Sequence, residues 1–324
     1  MTVMPGKKVS VIIPMYNASG CIESCLSAVS KQTVKDFEVL LIDDCSTDDT
    51  VQKAERYPFK IIKTEKRISP ARVRNYGAKN ASGDILIFVD ADVVLKPDSV
   101  EGIVGAISRP DTDSVFGIYE EATPQAGFFS QFQNLFIIYR YERLPRVTDI
   151  TCSFFFAIKR SVFEAIGGYN EKMSYYEDIE IGKRLDKEGY HCRFDPNLKV
   201  THLKYYNHLG LVKDYLKKSA EAGRYIKREG FSRKVKDNAW PLSIKIAALS
   251  GLCLLFSISL IKITSIPFLL FFGIYNVSIA PFLSYLVKAR NLVFGLKSYV
   301  VLFEIYPAFF AGLSYGILKR GERD

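Results

Sequence analysis

The sequence predicts an α/β fold followed by a C-terminal region of membrane helices. Strand and helix signals alternate over the first 200 residues, as they do in doubly wound sheets. From about residue 238 onward, long uncharged runs are separated by single Lys or Arg residues. These patterns divide the chain into an α/β domain at 1–205, a basic amphipathic segment at 206–239 and a transmembrane region of two to three helices at 240–324.

The predicted strands are apolar runs that end in polar residues. Val9–Ile13 is an uninterrupted apolar run closed by Pro14, which is typical of a buried parallel strand. Similar runs are Phe37–Ile42, Phe59–Ile62, Ile85–Val89, Ser114–Ile118 and Phe154–Ile158. Helical signals lie around Ile22–Val29, from Ser46 to about Arg56, at Pro70–Asn80, from Pro97, at Ser161–Ile166 and at Tyr175–Glu188. This order predicts a parallel sheet with helices on both faces, whereas residues 120–150 carry no clear periodicity.

The net charge of +9 is concentrated ahead of the apolar region. The segment from Lys204 to Lys236 contains ten Lys or Arg residues and only three acidic residues. Adjacent apolar runs favour anionic lipids over nucleic acid as the partner, so we predict membrane lipids and no nucleic acid. Leu209–Arg228 fits an amphipathic helix in the headgroup layer, with Leu211, Val212, Tyr215 and Leu216 on its apolar side. Its cations either hold a phosphate-bearing acceptor or simply adhere to the bilayer: Lys217, Lys218, Arg224, Lys227 and Arg228.

Three apolar runs follow, at Ile246–Ile261, Ile263–Val287 and Ser298–Leu318. A membrane span needs about 20 residues, so the first run is short. Cations lie after the second run and again in the C-terminal tail, and the positive-inside rule places both groups in the cytoplasm. Three full spans cannot do that with a cytoplasmic N-terminal domain, so either the third run is re-entrant or the rule is violated. Glu304 either has a function inside the membrane or reaches water.

The six cysteines form no Cys-x-x-Cys pair, which favours reduced thiols in a cytoplasmic domain. No N-terminal signal sequence is recognisable. We therefore predict a multi-pass protein of the cell membrane whose α/β domain faces the cytoplasm.

Acidic pairs follow two of the strands. Asp90 and Asp92 come directly after Ile85–Val89, where an extended chain would point both carboxylates at one Mg²⁺ or Mn²⁺ ion. Asp43-Asp44 follows the second strand and either binds a ribose or base, or caps the next helix. Glu177-Asp178 either performs catalysis or compensates a helix dipole. His202 is either a metal ligand or a structural residue.

Together these residues form a pattern that resembles family 2 glycosyltransferases of the GT-A fold, in particular those that act on polyprenyl phosphates and lipid-linked acceptors. The resemblance covers about residues 8–205 in one consistent order. It rests on Val9–Asn17, Leu41–Asp48, Arg74-Asn75 with Gly77, Ala81–Asp84, Phe88–Asp92, Gly167–Glu171 and Glu177–Glu180.

The resemblance implies a role for each matching residue. Asp92 would be the main metal ligand, Asp90 would reach the ribose or a metal-bound water, and His202 would complete the metal site. Asp178, next to Glu177 in the catalytic pair, would be the general base for in-line attack with inversion. If the acceptor is an anionic phosphate, Asp178 would instead orient it. The donor-binding residues would be Pro14, Tyr16, Asn17, Asp43, Asp44, Arg74 and Asp90.

One departure from the family narrows the expected reaction. Processive polysaccharide synthases carry a Gln-x-x-Arg-Trp segment, whereas the single Trp here, Trp240, follows Asp237-Asn238-Ala239. We therefore expect transfer of one sugar from a UDP- or GDP-sugar to a polyprenyl phosphate or lipid-linked saccharide. The alternatives are a soluble or glycan acceptor, and a non-catalytic membrane scaffold that keeps the fold.

Overall fold

The computed structural model describes residues 8–229, 242–258 and 265–319. The chain forms two compact units. The first comprises Met1–Gln125 and Leu144–Lys204, and the second comprises Ala126–Arg143 and Tyr205–Asp324. Trp240 and Asp237-Asn238-Ala239 before it lie outside the described residues.

The strands are β1 (Val9–Met15), β2 (Glu38–Asp43), β3 (Lys60–Lys63), β4 (Ile85–Val89), β5 (Val93–Val94), β6 (Ser114–Tyr119), β7 (Phe155–Lys159) and β8 (Cys192–His202). The helices are α1 (Ile22–Ser30), α2 (Thr50–Ala54), α3 (Pro70–Asn80), α4 (Ser99–Ile107), α5 (Phe128–Tyr141), α6 (Arg160–Ala165), α7 (Glu177–Lys187), α8 (His208–Glu229), α9 (Leu242–Ile258), α10 (Ile266–Ala289) and α11 (Leu292–Leu318). All the strands belong to the first unit, whereas α5 and α8 to α11 belong to the second.

The sheet of the first unit is mixed, so the prediction of a parallel sheet is wrong in part. Its strand order is β3-β2-β1-β4-β7-β6-β8-β5. The β3-β2-β1-β4 half is parallel, but β7 runs antiparallel to both β4 and β6. A parallel return requires a crossover helix packed on the sheet. The only long helix between β6 and β7 is α5, which belongs to the second unit, and β7 therefore returns in the opposite direction.

The parallel half of the sheet positions the polar loops. Every residue of β4 is buried, and β1 has one partly exposed residue, Pro14. Met15 pairs with Asp43, and Ile12 pairs with Phe88, so β1, β2 and β4 end at the same edge. Ligands of α/β sheets bind beyond that edge. The loops that begin at Tyr16, Asp44 and Asp90 therefore converge.

The second unit is a helical layer around an aromatic core. α5 contributes Phe132, Phe136 and Tyr139 to this core, together with Tyr275 and Phe282 of α10. Because α5 is buried on more than one side, its polar residues Ser130, Gln133 and Asn134 are buried together with its apolar ones, and the periodicity of residues 120–150 gave no prediction. Of the described helices, α10 and α11 are long and apolar enough to cross a membrane, and α9 is shorter.

The helix predicted at Leu209–Arg228 is present as α8, and part of its apolar side packs on other helices of the second unit. Leu211 and Tyr215 are buried in the core of the second unit. An amphipathic pattern only shows that one face avoids water, and here other protein helices cover that face. The position of α8 along the headgroups stays a prediction, but Leu211 and Tyr215 are not available for contact with lipid.

Small residues bring α8 and α11 into backbone contact. A Cβ atom at Gly312 would overlap the Leu216 carbonyl oxygen, and one at Gly316 would overlap the Ala220 carbonyl oxygen. From the other side, a Cβ at Gly223 would overlap the Leu313 carbonyl oxygen. The Gly-x-x-x-Gly spacing on α11 is the arrangement that lets two helix backbones approach closely.

Replacing Gly316 with Ala should destabilise this helix pair. The new methyl group meets backbone atoms that cannot rotate away, and overpacking of this kind costs about 1–3 kcal/mol. Gly273→Ala on α10 is the matched control, because a Cβ there meets no atom within 4 Å. Thermal unfolding in detergent, followed by circular dichroism, should show a lower midpoint for Gly316→Ala and an equal or higher one for Gly273→Ala. Equal midpoints for the two variants would contradict this close contact.

Candidate active site

A tight turn follows β4 and separates the two acids of the Asp-x-Asp motif. The Val93 amide donates to the Asp90 carbonyl (3.0 Å), and the Asp90 amide donates to the Phe154 carbonyl (3.2 Å). The motif is therefore not the extended strand end that the sequence predicted. Asp90 turns toward Arg74, whereas Asp92 lies beside His202.

His202 reaches Asp92 because β5 pairs with β8. Val93 is the register partner of His202, and Asp92 Oδ2 lies 3.7 Å from His202 Nε2. The imidazole is buried and stacks on the Tyr119 ring at 4.2 Å between centroids. Burial alone would raise the pKa of Asp92, but the His202 imidazole, with help from Lys204, holds this pKa below its ordinary value. Asp92 is thus a fixed carboxylate with its side chain partly exposed.

The donors at this position fit a divalent cation that shares its coordination with a ligand. Within residues 8–229, 242–258 and 265–319, no three His, Cys, Asp or Glu side chains cluster closely enough to hold a metal by themselves. Asp92 and His202 supply one carboxylate and one imidazole. Mg²⁺ is commonly bound by one or two carboxylates together with substrate phosphates and water. Two protein donors beside a polar cleft suit that mode of binding.

Arg74 is a buried cation between two carboxylates. Ser69 caps α3, Pro70 occupies its first turn, and Arg74 follows on the buried side with 4% of its surface exposed. Its Nη2 lies 2.7 Å from Asp90 Oδ1, and its Nη1 lies 2.9 Å from Glu177 Oε1. One guanidinium therefore ties α3 to the loop after β4 and to the start of α7.

Negative charge outweighs positive charge around Arg74. Burial would lower the pKa of Arg74, but Asp90 and Glu177 raise it above its ordinary value. Burial raises the pKa of Glu177 to about 7, with Arg74 opposing this and Asp178 adding to it. Arg74 Nε is buried and has no hydrogen-bond partner among the described residues. Two carboxylates contact this guanidinium, and Asp178 adds negative charge beside Glu177, so a bound cation would help to neutralise the cluster.

The start of α7 places its two acids differently. Tyr176 precedes the helix with φ of 72°, a left-handed conformation that is costly for a residue with a side chain. Glu177 is buried against Arg74, whereas Asp178 is half-buried. Thr151 Oγ1 donates to the Asp178 carbonyl at 2.6 Å and helps to fix this turn. Of the two predicted catalytic acids, Asp178 is the more accessible.

The loops after β1 and β2 hold each other in place. Asn17 has φ of 47°, and its Oδ1 accepts from the Thr47 amide at 2.8 Å. Asp43 Oδ1 accepts from the Ser46 amide at 3.2 Å. Both side chains thus make loop-fixing contacts, which is close to the capping alternative for Asp43. Tyr16 projects from the same loop and keeps 41% of its surface exposed.

The contacts of Arg67 with Asp44 and Tyr16 were not predicted from the sequence. Asp44 Oδ1 accepts from the Ile68 amide at 2.9 Å, and Asp44 Oδ2 lies 3.2 Å from Arg67 Nε. The Arg67 guanidinium carbon sits 3.0 Å from the centre of the Tyr16 ring. Arg67 lies in a loop 23 residues from Asp44, and no local pattern marks it.

These loops enclose a cleft of about 290 Å³. Seven of the predicted site residues line it, whereas Asp43, Glu177, Asp178 and His202 do not. A second cavity of about 680 Å³ shares Arg67 and Pro70 with it and is also lined by Ser174 and Tyr175, just before α7. The predicted residues in the first cleft are Pro14, Tyr16, Asn17, Asp44, Arg74, Asp90 and Asp92.

The predicted acceptor cations lie on α8 in the second unit, and most have protein partners. Lys218 Nζ is 2.8 Å from Asp214 Oδ2, and Glu221 forms ion pairs with both Arg224 and Arg228. The remaining two are exposed: Lys227, which donates to the Lys319 carbonyl, and Lys217. Their contact with an acceptor stays a prediction. Glu304, the acid within the third apolar run, pairs with His208.

Replacing Arg74 with Ala should destabilise the first unit by about 3–5 kcal/mol, because it leaves buried Glu177 without its cation. Arg72→Ala on the same helix is the matched control. The Arg72–Glu171 pair is about half-exposed, and such pairs contribute less than about 1 kcal/mol. Urea unfolding followed by far-UV circular dichroism would compare the free energies of unfolding of the two variants. A loss for Arg74→Ala no larger than that for Arg72→Ala would contradict the buried pair.

Comparison with known proteins agrees with this geometry. Residues 10–167 match Glycosyl transferase family 2. An uncharacterized glycosyltransferase of Haemophilus influenzae is 26% identical over 230 residues, covering 70% of this chain and 78% of that protein. A dolichol-phosphate mannosyltransferase of Pyrococcus furiosus is 31% identical over 172 residues, covering 49% of this chain and 48% of that protein.

Among solved structures, mannosyltransferase PcManGT from Pyrobaculum calidifontis, in complex with GDP-Man and Mn²⁺, has a similar fold. Its TM-score is 0.64 at 16% identity, over 98% of this chain and 88% of that one. Together with the loops at the carboxyl edge of β1, β2 and β4, these likenesses show what the first unit is. Residues 10–167 therefore form a domain of the glycosyl transferase family 2 type on a GT-A-like fold, and the protein is a glycosyltransferase.

Proposed function

We propose that the protein transfers a single sugar, with inversion, from a UDP- or GDP-sugar to a membrane-bound acceptor. The acceptor is a polyprenyl phosphate or a lipid-linked saccharide, and the reaction depends on Mg²⁺ or Mn²⁺. The observation that carries this proposal is the cleft itself. It gathers Tyr16, Asp44, Arg74 and Asp90 next to the Asp92–His202 pair. The relatives named for GDP-Man with Mn²⁺ and for dolichol phosphate support the donor and acceptor classes.

The donor's nucleoside occupies the end of the cleft near Tyr16 and Asp44. Tyr16 offers for stacking the ring face that Arg67 leaves open, and Asp44, which already accepts from the Ile68 amide and from Arg67, uses a remaining lone pair to accept an N–H group of the base or a hydroxyl group of the ribose. The diphosphate lies toward Asp92, which together with His202 would hold the cation. When bound, that cation neutralises charge that develops on the leaving diphosphate. Arg74 keeps Asp90 and Glu177 in place around this end.

Asp178 faces the acceptor. A hydroxyl acceptor must lose a proton as it attacks the anomeric carbon, and a carboxylate within hydrogen-bond reach takes that proton. A polyprenyl phosphate is already anionic and needs no base, so Asp178 would orient it instead. Glu177 is held by Arg74 and acts as a positioning residue.

The second unit anchors the enzyme as a multi-pass protein, with the catalytic domain on the cytoplasmic side. The apolar helices α9 and α10 support the anchor, since α10 has the length and composition of a membrane span, and the cations of α8 support contact with anionic headgroups or an acceptor phosphate. Transfer to a soluble or glycan acceptor and a non-catalytic scaffold role are the alternatives, and the following experiments separate them.

Asp92→Ala should reduce sugar transfer by about a thousandfold or more, because loss of the cation removes several kcal/mol of transition-state stabilisation. Asp98→Ala is the matched control, since Asp98 is exposed and makes no side-chain cap to α4. Membranes with each variant are incubated with radiolabelled UDP- and GDP-sugars and Mn²⁺ or Mg²⁺. Products are then partitioned between chloroform–methanol and water.

Label that enters the organic phase with wild type and Asp98→Ala, but not with Asp92→Ala, would identify the donor and support a lipid acceptor. Label only in aqueous or precipitable glycan would refute the lipid acceptor and keep the transferase. Transfer by Asp92→Ala at the wild-type rate would refute the metal assignment.

Asp178→Asn distinguishes the two acceptor chemistries. If Asp178 deprotonates a hydroxyl acceptor, the substitution should lower kcat by about 10²–10⁴-fold. If the acceptor is a phosphate, the loss should appear mainly in KM for the acceptor. Asp186→Asn, at an exposed position of the same helix α7, should leave both constants unchanged. Wild-type kinetics for Asp178→Asn would exclude both roles.

A further inference from the structure

α8 lies alongside the second half of α11, and the contacts fix which residues are level with each other. His208, the first residue of α8, pairs with Glu304 near the middle of α11. Gly312 meets Leu216 and Ser219, and Gly316 meets Ala220. At the far end, Lys227 Nζ donates to the Lys319 carbonyl at 2.9 Å. The two helices therefore run in the same direction from residue 304 to residue 319.

This pairing would bury charge if α11 crossed a bilayer. α8 would then extend from the middle of the hydrocarbon layer to its far edge, because His208 is level with the midpoint of α11. Lys213, Lys217 and Lys218 are exposed on α8 and would face acyl chains. Lysine within a membrane is strongly unfavourable, and snorkelling relieves this only near the ends of a span.

The backbone that leads into α8 is a second argument against a spanning α11. Residues 205–207, which lead into α8, form neither helix nor strand. In a spanning arrangement they would lie near the middle of the membrane next to Glu304. The Tyr206 amide donates to Ser130 Oγ and the Asn207 carbonyl accepts from the Leu211 amide, but Tyr205 and Asn207 are exposed, and lipid-exposed irregular backbone does not occur in the hydrocarbon region. The half of α11 that α8 covers is thus unsuited to the hydrocarbon layer.

The part of α11 that α8 leaves uncovered is too short to cross alone. It comprises residues 292–303, twelve residues. At 1.5 Å per residue this is about 18 Å of helix, whereas the hydrocarbon core is about 30 Å thick. By length and composition α11 could span a membrane, but α8 packed against its second half is incompatible with that position.

The distribution of cations gives an independent argument. Lys288 at the end of α10, Arg290 in the turn that follows and Lys297 in the first turns of α11 form one group of cations, and Lys319, Arg320 and Arg323 follow the end of α11. The positive-inside rule places both groups on the cytoplasmic side. A spanning α11 would separate them, whereas an α11 that stays on one side keeps them together.

We infer that α11 does not cross the membrane and that α8 and the half of α11 that it covers form an in-plane pair in the headgroup layer of one leaflet. The partner of this surface is an anionic lipid surface. Lys213 and Lys217 face its headgroups, and the apolar residues exposed on α11, such as Leu296 and Val300, reach the upper acyl chains. The inference concerns the anchor and holds whether or not the proposed reaction is correct.

Cysteine labelling from one side of the membrane tests this arrangement. Lys297→Cys and Lys319→Cys introduce thiols at exposed positions near the two ends of α11. Sealed membrane vesicles of uniform orientation receive a membrane-impermeant maleimide, before and after permeabilisation with detergent. Peptide mass spectrometry locates the label, so the native cysteines do not interfere. Lys288→Cys and Ser314→Cys, also exposed, serve as a second pair if either first variant fails to accumulate.

An in-plane helix predicts that both cysteines of a pair behave alike: both react in intact vesicles, or both react only after detergent. One cysteine that reacts in intact vesicles and a second that requires detergent would place the ends of α11 on opposite sides and overturn the inference. Because the readout is independent of sugar transfer, failure of the inference is distinguishable from failure of the proposed function.

Discussion

The buried contact between Arg74 and its two carboxylates is the constraint on which the candidate site depends. It joins a helix, a loop and a second helix that are distant in the sequence, through bonds of 2.7 Å to Asp90 and 2.9 Å to Glu177. A buried charge without its partners is strongly destabilising, so this arrangement is close to all-or-none. Once it forms, the turn after β4 is fixed, and Asp92 within that turn is directed away from Arg74 toward His202.

The mixed topology of the sheet completes the site. His202 lies 110 residues after Asp92, and the antiparallel pairing of β5 with β8 brings the two side chains together. Tyr119 at the end of β6 then holds the imidazole by stacking. The parallel half of the sheet thus supplies the loops that line the cleft, and the pairing of β5 with β8 brings His202, the second of the two proposed metal ligands, beside Asp92. Neither half contains both parts.

What the sequence could predict follows from the range of each interaction. The bounds of β4 and α3 were predicted to the residue, because Pro70 and an uninterrupted apolar run mark them locally. Most predicted donor-binding residues and both acids of the Asp-x-Asp motif do line one cleft, since they follow parallel strands. The direction of β7 and the contact of Arg67 with Tyr16 depend on tertiary structure, which no local pattern encodes. The helix α5 was not predicted from the sequence. It is packed on several sides, so its apolar and polar residues do not follow the helical periodicity of a surface helix.

The same distinction applies to α8 and α11, where composition alone suggests the wrong surroundings. The apolar side of α8 looks suited to lipid, but protein covers it, and α11 looks suited to cross a bilayer, but a charged helix lies against half of it. In both cases the decisive residues are small ones: Gly223, Gly312 and Gly316. They contribute little to hydropathy, yet by admitting another backbone they determine which neighbours a helix has. Because α8 cannot leave α11 without losing this contact, the cations on α8 fix the depth of both helices.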